Sequence, residues 1–162
     1  MWYFKCHYKR VDAMPAPSPH AVESRRAKRL NAEAIGIDAA FIDQMVEEFY
    51  ARVRADPVLG PIFAGRIHDW PLHLGRMKAF WGSVLHESGG YSGNPMLKHV
   101  AIPGIGQAEF ARWLDLFSAT LASIERDPAA TGQIVAKARN IADSLLAAIR
   151  FNRDGVRDPS SL

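Results

Sequence analysis

Cysteine is nearly absent: Cys6 is the only one in 162 residues. One thiol can form neither an intrachain disulfide nor a thiolate metal site, and a reducing compartment, the cytoplasm, is the expected location. Long apolar runs are missing as well. No stretch approaches the roughly 20 consecutive apolar residues that a membrane-spanning helix needs, so no membrane partner is expected. The opening MWYFKCHYKR is basic and aromatic but lacks the apolar centre and cleavage site of a signal peptide. Charge of one sign is weak: the formal net charge is only +3 although the sequence pI is near 9.2. Much of that excess falls in the first thirty residues, and a nucleic-acid partner is not expected. Alternation with period two is missing over any useful length, which argues against a sheet. HExxH, paired cysteines, a Walker loop, a strand-borne GxGxxG and a GxSxG elbow are all absent, and with them the usual signs of zinc, nucleotide and serine-hydrolase chemistry. No internal repeat is evident.

What is present fits one domain. The length allows a substantial core, and 48% hydrophobic with 23% charged residues is a globular composition. Residues 1–35, with MPAPSPH followed by ESRRAKRLNAEA, have little apolar periodicity and are expected to be a poorly ordered extension, Met14 being an alternative start. Residues 153–162 have the polar, Gly- and Pro-bearing composition of a flexible tail. Between them, residues 36–152 carry four amphipathic segments. Phe41, Ile42, Met45, Val46, Phe49, Tyr50 and Val53 recur at spacings of three and four from Asp38 to Asp56. A second segment opens at HDWP with Asp69 as N-cap and Pro71 in the first turn, and aligns His73, Met77, Phe80, Trp81 and Val84 before ESGGY. A third, Gln107 to Glu125, aligns Phe110, Trp113, Leu114, Phe117, Leu121 and Ile124. The fourth is capped by Asp127 with Pro128 just inside, and repeats Ile134, Val135, Ala138, Ile141, Leu145 and Ile149. The fold class is all-α, with a core made by crossing helices.

Of six histidines, His73 lies on an apolar helical stripe and His99 sits beside Leu97, Val100 and Ile102. On these grounds alone each is more readily a hydrogen-bonded core residue than a metal ligand. An apolar slot with one axial base would suit haem, and the helices are rich in aromatic side chains. Aromatic stripes at helical spacing are nevertheless ordinary core more often than a cofactor box.

The segments FYARVRADPVLGPIF, WPLHLGRMKAFWGSVL, YSGNPMLKH and FARWLDLF stand in this order. Together they resemble the third group of truncated haemoglobins, from about Phe41 to Phe151. Gly89 and Gly90 follow the second helix and are not the early double-glycine motif of other truncated globins, which this group lacks. The resemblance implies a two-over-two helical sandwich around haem b. It implies that His99 is the proximal iron ligand through its epsilon nitrogen. Tyr50, His73 and Trp113 become the residues facing the bound gas, with core packing as the alternative for Tyr50 and Trp113, and for His73 a swing toward solvent that gates the pocket. Phe63, Met77 and Phe80 would line the haem, with bulk packing as the alternative for each, and Arg76 would reach a propionate, with a solvated guanidinium as its alternative. Tyr91 is expected to anchor its loop.

These types suit the chemistry. Neutral imidazole binds iron well and is commonly oriented through its second nitrogen. A phenolic O–H and an indole N–H are donors matched to a polarised diatomic. The expected function is reversible binding of dioxygen and other diatomic gases. Nitric-oxide dioxygenation and peroxide chemistry are the candidate enzymatic roles, served by a separate reductase because no flavin or nicotinamide motif is present. A haem-free interaction module on the same scaffold is the rival.

Overall fold

The computed structural model describes residues 17–87, 91 and 93–154. These form seven helices and no strand: α1 (Pro19–Ala34), α2 (Ala39–Ala55), α3 (Leu59–Ala64), α4 (Trp70–His86), α5 (Pro95–Val100), α6 (Gln107–Ser123) and α7 (Pro128–Asp154). The four long helices read from the sequence are α2, α4, α6 and α7. Their starts follow side-chain capping: Asp38 accepts from the Phe41 N–H at 2.7 Å, Asp69 from Leu72 at 2.9 Å and Asp127 from Ala129 at 2.8 Å. Helix α7 continues to Asp154, two residues past the expected boundary. Residues 1–16, the Gly89 and Gly90 pair and residues 155–162 lie outside the described residues.

Helix α1 departs from the expectation of a poorly ordered extension. Ser18 accepts from the Ala21 N–H at 3.2 Å, Pro19 sits in the first turn, and the run of Ala, Arg, Lys, Leu and Glu has high helix propensity. Periodicity missed it because Ala32 is its one buried residue. Helix α1 rests on α4 near its C-terminal end, where Lys28 pairs with Glu87.

The core explains the periodicities. The seven large apolar residues of α2 are buried, and α2 packs against both α4 and α6 while α6 packs against α7. The result is two helices over two. A second cluster of Ile105, Phe110, Ala142, Leu145 and Ile149 seats α5 and its following turn on α7 through Val100 and Ile102. Gly104, at φ +78°, turns the chain from that segment into α6.

Helix α3 is drawn tightly against the end of α2. A Cβ at Gly60 would lie 2.9 Å from the Arg54 carbonyl oxygen, so only glycine fits. The buried Asp56 carboxylate organises this corner, accepting from the N–H groups of Val58 (3.0 Å) and Leu59 (2.9 Å) and from Arg112 Nε (2.7 Å) on α6. Those backbone N–H bonds, with the guanidinium beside them, hold the carboxyl below its usual range. A depressed folded-state value means that the stabilisation is present above the ordinary carboxylate range and is lost as pH falls through the folded value. Asp56→Ala should therefore lower the thermal midpoint by several degrees at neutral pH, with the gap to wild type closing in acid. A constant gap from neutral to acid pH would remove Asp56 from this role.

Candidate functional site

The two faces of α4 define the site. Trp81 and Leu85 are buried, whereas His73, Met77, Phe80 and Val84, one stripe along the same helix, are only half-buried. Phe63 on α3, Trp113 on α6 and His99 on α5 are also half-buried. Phe63, Met77, Phe80, Val84 and Trp113 thus pack on the core yet keep part of their surface open.

On the α5 side, Asn94 caps a six-residue helix by accepting from the Leu97 N–H at 3.2 Å, with Pro95 in its first turn. His99 Nδ1 lies 2.7 Å from the Pro95 carbonyl oxygen. A carbonyl only accepts, so Nδ1 carries a proton, and in the neutral ring the lone pair lies on Nε2. Phe110 packs beside the imidazole, with ring centroids 6.2 Å apart.

On α2, α3, α4 and α6 the aromatic residues interlock. Tyr50 meets His73 edge-on at 5.0 Å, Phe63 at 5.9 Å and Trp70 at 6.2 Å. Phe49 touches both Tyr50, at 5.0 Å, and Trp113, at 5.2 Å. Trp113 is stacked on Phe117 at 5.2 Å, and Phe117 on Trp81 at 4.9 Å. Burial, with Tyr91 nearby, pushes the Tyr50 phenol up, so it stays protonated well beyond neutral pH. His73 Nε2 is buried with no hydrogen-bond partner. Burial first, then the charges of Lys98 and Arg76, lowers the His73 imidazole below its usual range and keeps it neutral. Arg76 is exposed. Phe80 lies between Trp81 (5.6 Å) and Tyr91 (5.2 Å), so Tyr91 packs against the half-buried stripe of α4.

The structure thus brings Tyr50, Phe63 and His73 into one cluster, joins Trp113 to it through Phe49, and sets His99 apart on α5. Sequence reasoning missed Trp70, Arg54, Lys98 and the contact of Phe110 with His99. Trp70 stands three residues before His73, a helical spacing that puts both on one face, and Lys98 immediately precedes His99.

An all-helical sandwich of two helices over two, with a short helix presenting one imidazole beside it, is the architecture of a globin-like class of protein. The bacterial-like globin family model matches residues 32–147. A group 3 truncated haemoglobin of Campylobacter jejuni is 37% identical over 89 residues, covering 52% of this chain and 70% of that relative. The crystal structure of the group III truncated haemoglobin from Campylobacter jejuni superposes with a TM-score of 0.65 at 32% identity, covering 70% of this chain and 91% of the other. The chain belongs to the bacterial-like globin family.

That family implies a haem cofactor, and the residues present fit one. His99 Nε2 is a nitrogen of the kind that would hold an iron, the half-buried residues of α4 are mostly apolar as a porphyrin face would need, and His73 Nε2 is buried with no hydrogen-bond partner.

Proposed function

We propose that a cleft between α4 and the α5–α6 region holds haem b, that His99 Nε2 is the iron ligand, and that Tyr50, His73 and Trp113 face a bound diatomic gas such as dioxygen. The observation that carries this reading is the bond from His99 Nδ1 to the Pro95 carbonyl, which fixes both the tautomer and the direction of the imidazole. Haem supplies the ligand-binding metal and one-electron chemistry when bound.

The chain's own residues do the rest. Phe63, Met77 and Phe80 exclude water from the porphyrin face. Arg76, and Lys98 from the other wall, bring positive charge to the site, where propionate carboxylates would be matched. Tyr50, kept protonated by burial, and Trp113 donate hydrogen bonds to a ligand that becomes negatively polarised. Two donors favour retention over release, which suits redox conversion of the ligand better than bulk carriage. Nitric-oxide dioxygenation is the proposed reaction, with peroxide chemistry as its alternative, and electrons come from a separate reductase. The single cysteine fits a reducing cytoplasm.

Protein purified from cells supplied with a haem precursor should show a Soret band and equimolar haem. Wild-type protein that takes up no haem would end this reading in favour of a haem-free interaction module. Stopped-flow mixing of the oxygenated ferrous protein with nitric oxide then separates roles: rapid oxidation of the iron with nitrate formed marks a dioxygenase, and its absence marks a store.

A further inference from the structure

His73 poses a problem that the proposed function does not solve. Its Nε2 is buried without a partner, and two cations, Lys98 and Arg76, act on the ring. Turning outward would return that nitrogen to water. Packing is what opposes the turn: the Tyr50 edge at 5.0 Å and 88°, and Trp70 at 5.8 Å and 86°.

Trp70 is the less expected of the two. It is the first residue of α4 and packs on the core only half-buried. Yet its ring touches Tyr50 at 6.2 Å as well as His73, and the exposed Arg54 guanidinium covers it at 4.7 Å from the ring centroid. Arg54 lies one turn after Tyr50 on α2, and Trp70 one turn before His73 on α4. Tyr50, His73 and Trp70 therefore touch one another across the seam between the two helices, and Arg54 covers Trp70 from outside. A guanidinium stacked on an indole holds it without burying it. Asp69, capping α4 from the preceding position, holds the backbone under Trp70.

We infer that Trp70, clamped by Arg54, is a positioning residue that holds His73 and Tyr50 inward and so closes the ligand side of the cleft to passing gas. The inference rests on the haem reading above. It separates two jobs in one pocket: Tyr50 and Trp113 act on the ligand, whereas Trp70 acts on His73 and sets how often the way in is open.

Laser photolysis of the carbon-monoxide complex of the ferrous, haem-loaded protein tests it, with the C–O stretch followed in the infrared. Trp70→Ala should speed bimolecular rebinding roughly tenfold, as for a gate open about a tenth of the time that is then left open. It should also add a second C–O stretching band from pockets in which His73 has turned out. Trp70→Phe, which keeps an aromatic edge, should restore the wild-type rate and single band. Arg54→Gln, at an exposed position, should give an intermediate rate and carries the test alone if Trp70→Ala does not fold. Wild-type rates and one band in both Trp70→Ala and Arg54→Gln would overturn the inference, as would equal behaviour of Trp70→Phe and Trp70→Ala. Those results leave a haem-binding protein, whereas a wild type without a Soret band sinks the haem reading itself.

Discussion

His99→Ala is expected to lose haem. Isolated under conditions that load the wild type, the variant should show little or no Soret band, or release haem to a scavenger more than about a hundredfold faster. That figure is a lower bound, since removing even an outer partner of a metal ligand commonly costs about 10–100-fold. The argument is local. Within α5, Asn94 and Pro95 start one short turn of helix, and the Pro95 carbonyl takes the Nδ1 proton, leaving Nε2 as a base with no other partner among the described residues. His73 should not substitute from its place, because it is packed edge-on among Tyr50 and Trp70 on another helix. The fold should survive, since His99 is only half-buried and the neighbouring cluster rests on Ile105, Phe110 and Ile149. Added imidazole should restore part of the haem binding by filling the vacated position. Stable retention with an unchanged ferrous spectrum would mean that another histidine holds the iron.

Periodicity made the four long helices legible because each has a single apolar stripe facing a single core. Asp38, Asp69 and Asp127 marked their starts, as the caps bear out. Helix α1 was not legible, since a helix held mainly at one end and by an ion pair needs no apolar stripe. Helices α3 and α5 span six residues each, too short for a helical period to declare itself. The candidate site was harder still. On sequence grounds His73 shares its stripe with Trp81, and only the structure splits that stripe into a buried seam and a half-buried face. His99 offered no spacing at all. Its special feature, the bond to the Pro95 carbonyl, is made four residues back within one turn, and resemblance to a family had to supply what spacing could not. Trp70 and Arg54 stayed hidden for a related reason: they meet across two helices, and no pattern within either helix records the contact.

Replacing Tyr50 and Trp113 by phenylalanine should raise the oxygen dissociation rate by the largest factor of any change that leaves the fold intact. A hydrogen bond to a charged group contributes about 1.5–3 kcal/mol, so losing one should speed release between about tenfold and a hundredfold or more. Phenylalanine isolates the donor from the ring. At Tyr50 it preserves the edge contacts to Phe49, Phe63 and His73, and at Trp113 much of the stack on Phe117. The Arg112 link to Asp56, one residue from Trp113, should still fix α6 against the end of α2. The two effects should not add, because Tyr50 and Trp113 share Phe49 as a common neighbour and would act on one ligand. Burial raises the Tyr50 phenol above its ordinary value, so its proton remains available throughout the neutral and mildly alkaline range. The wild-type oxygen dissociation rate should accordingly show no step from Tyr50 ionisation there. Carbon monoxide polarises less on binding, and its dissociation should change by a smaller factor in the same variants. Equal acceleration of both gases would point to a loosened pocket and not to lost donors, and an unchanged oxygen rate in the double variant would remove both residues from the ligand.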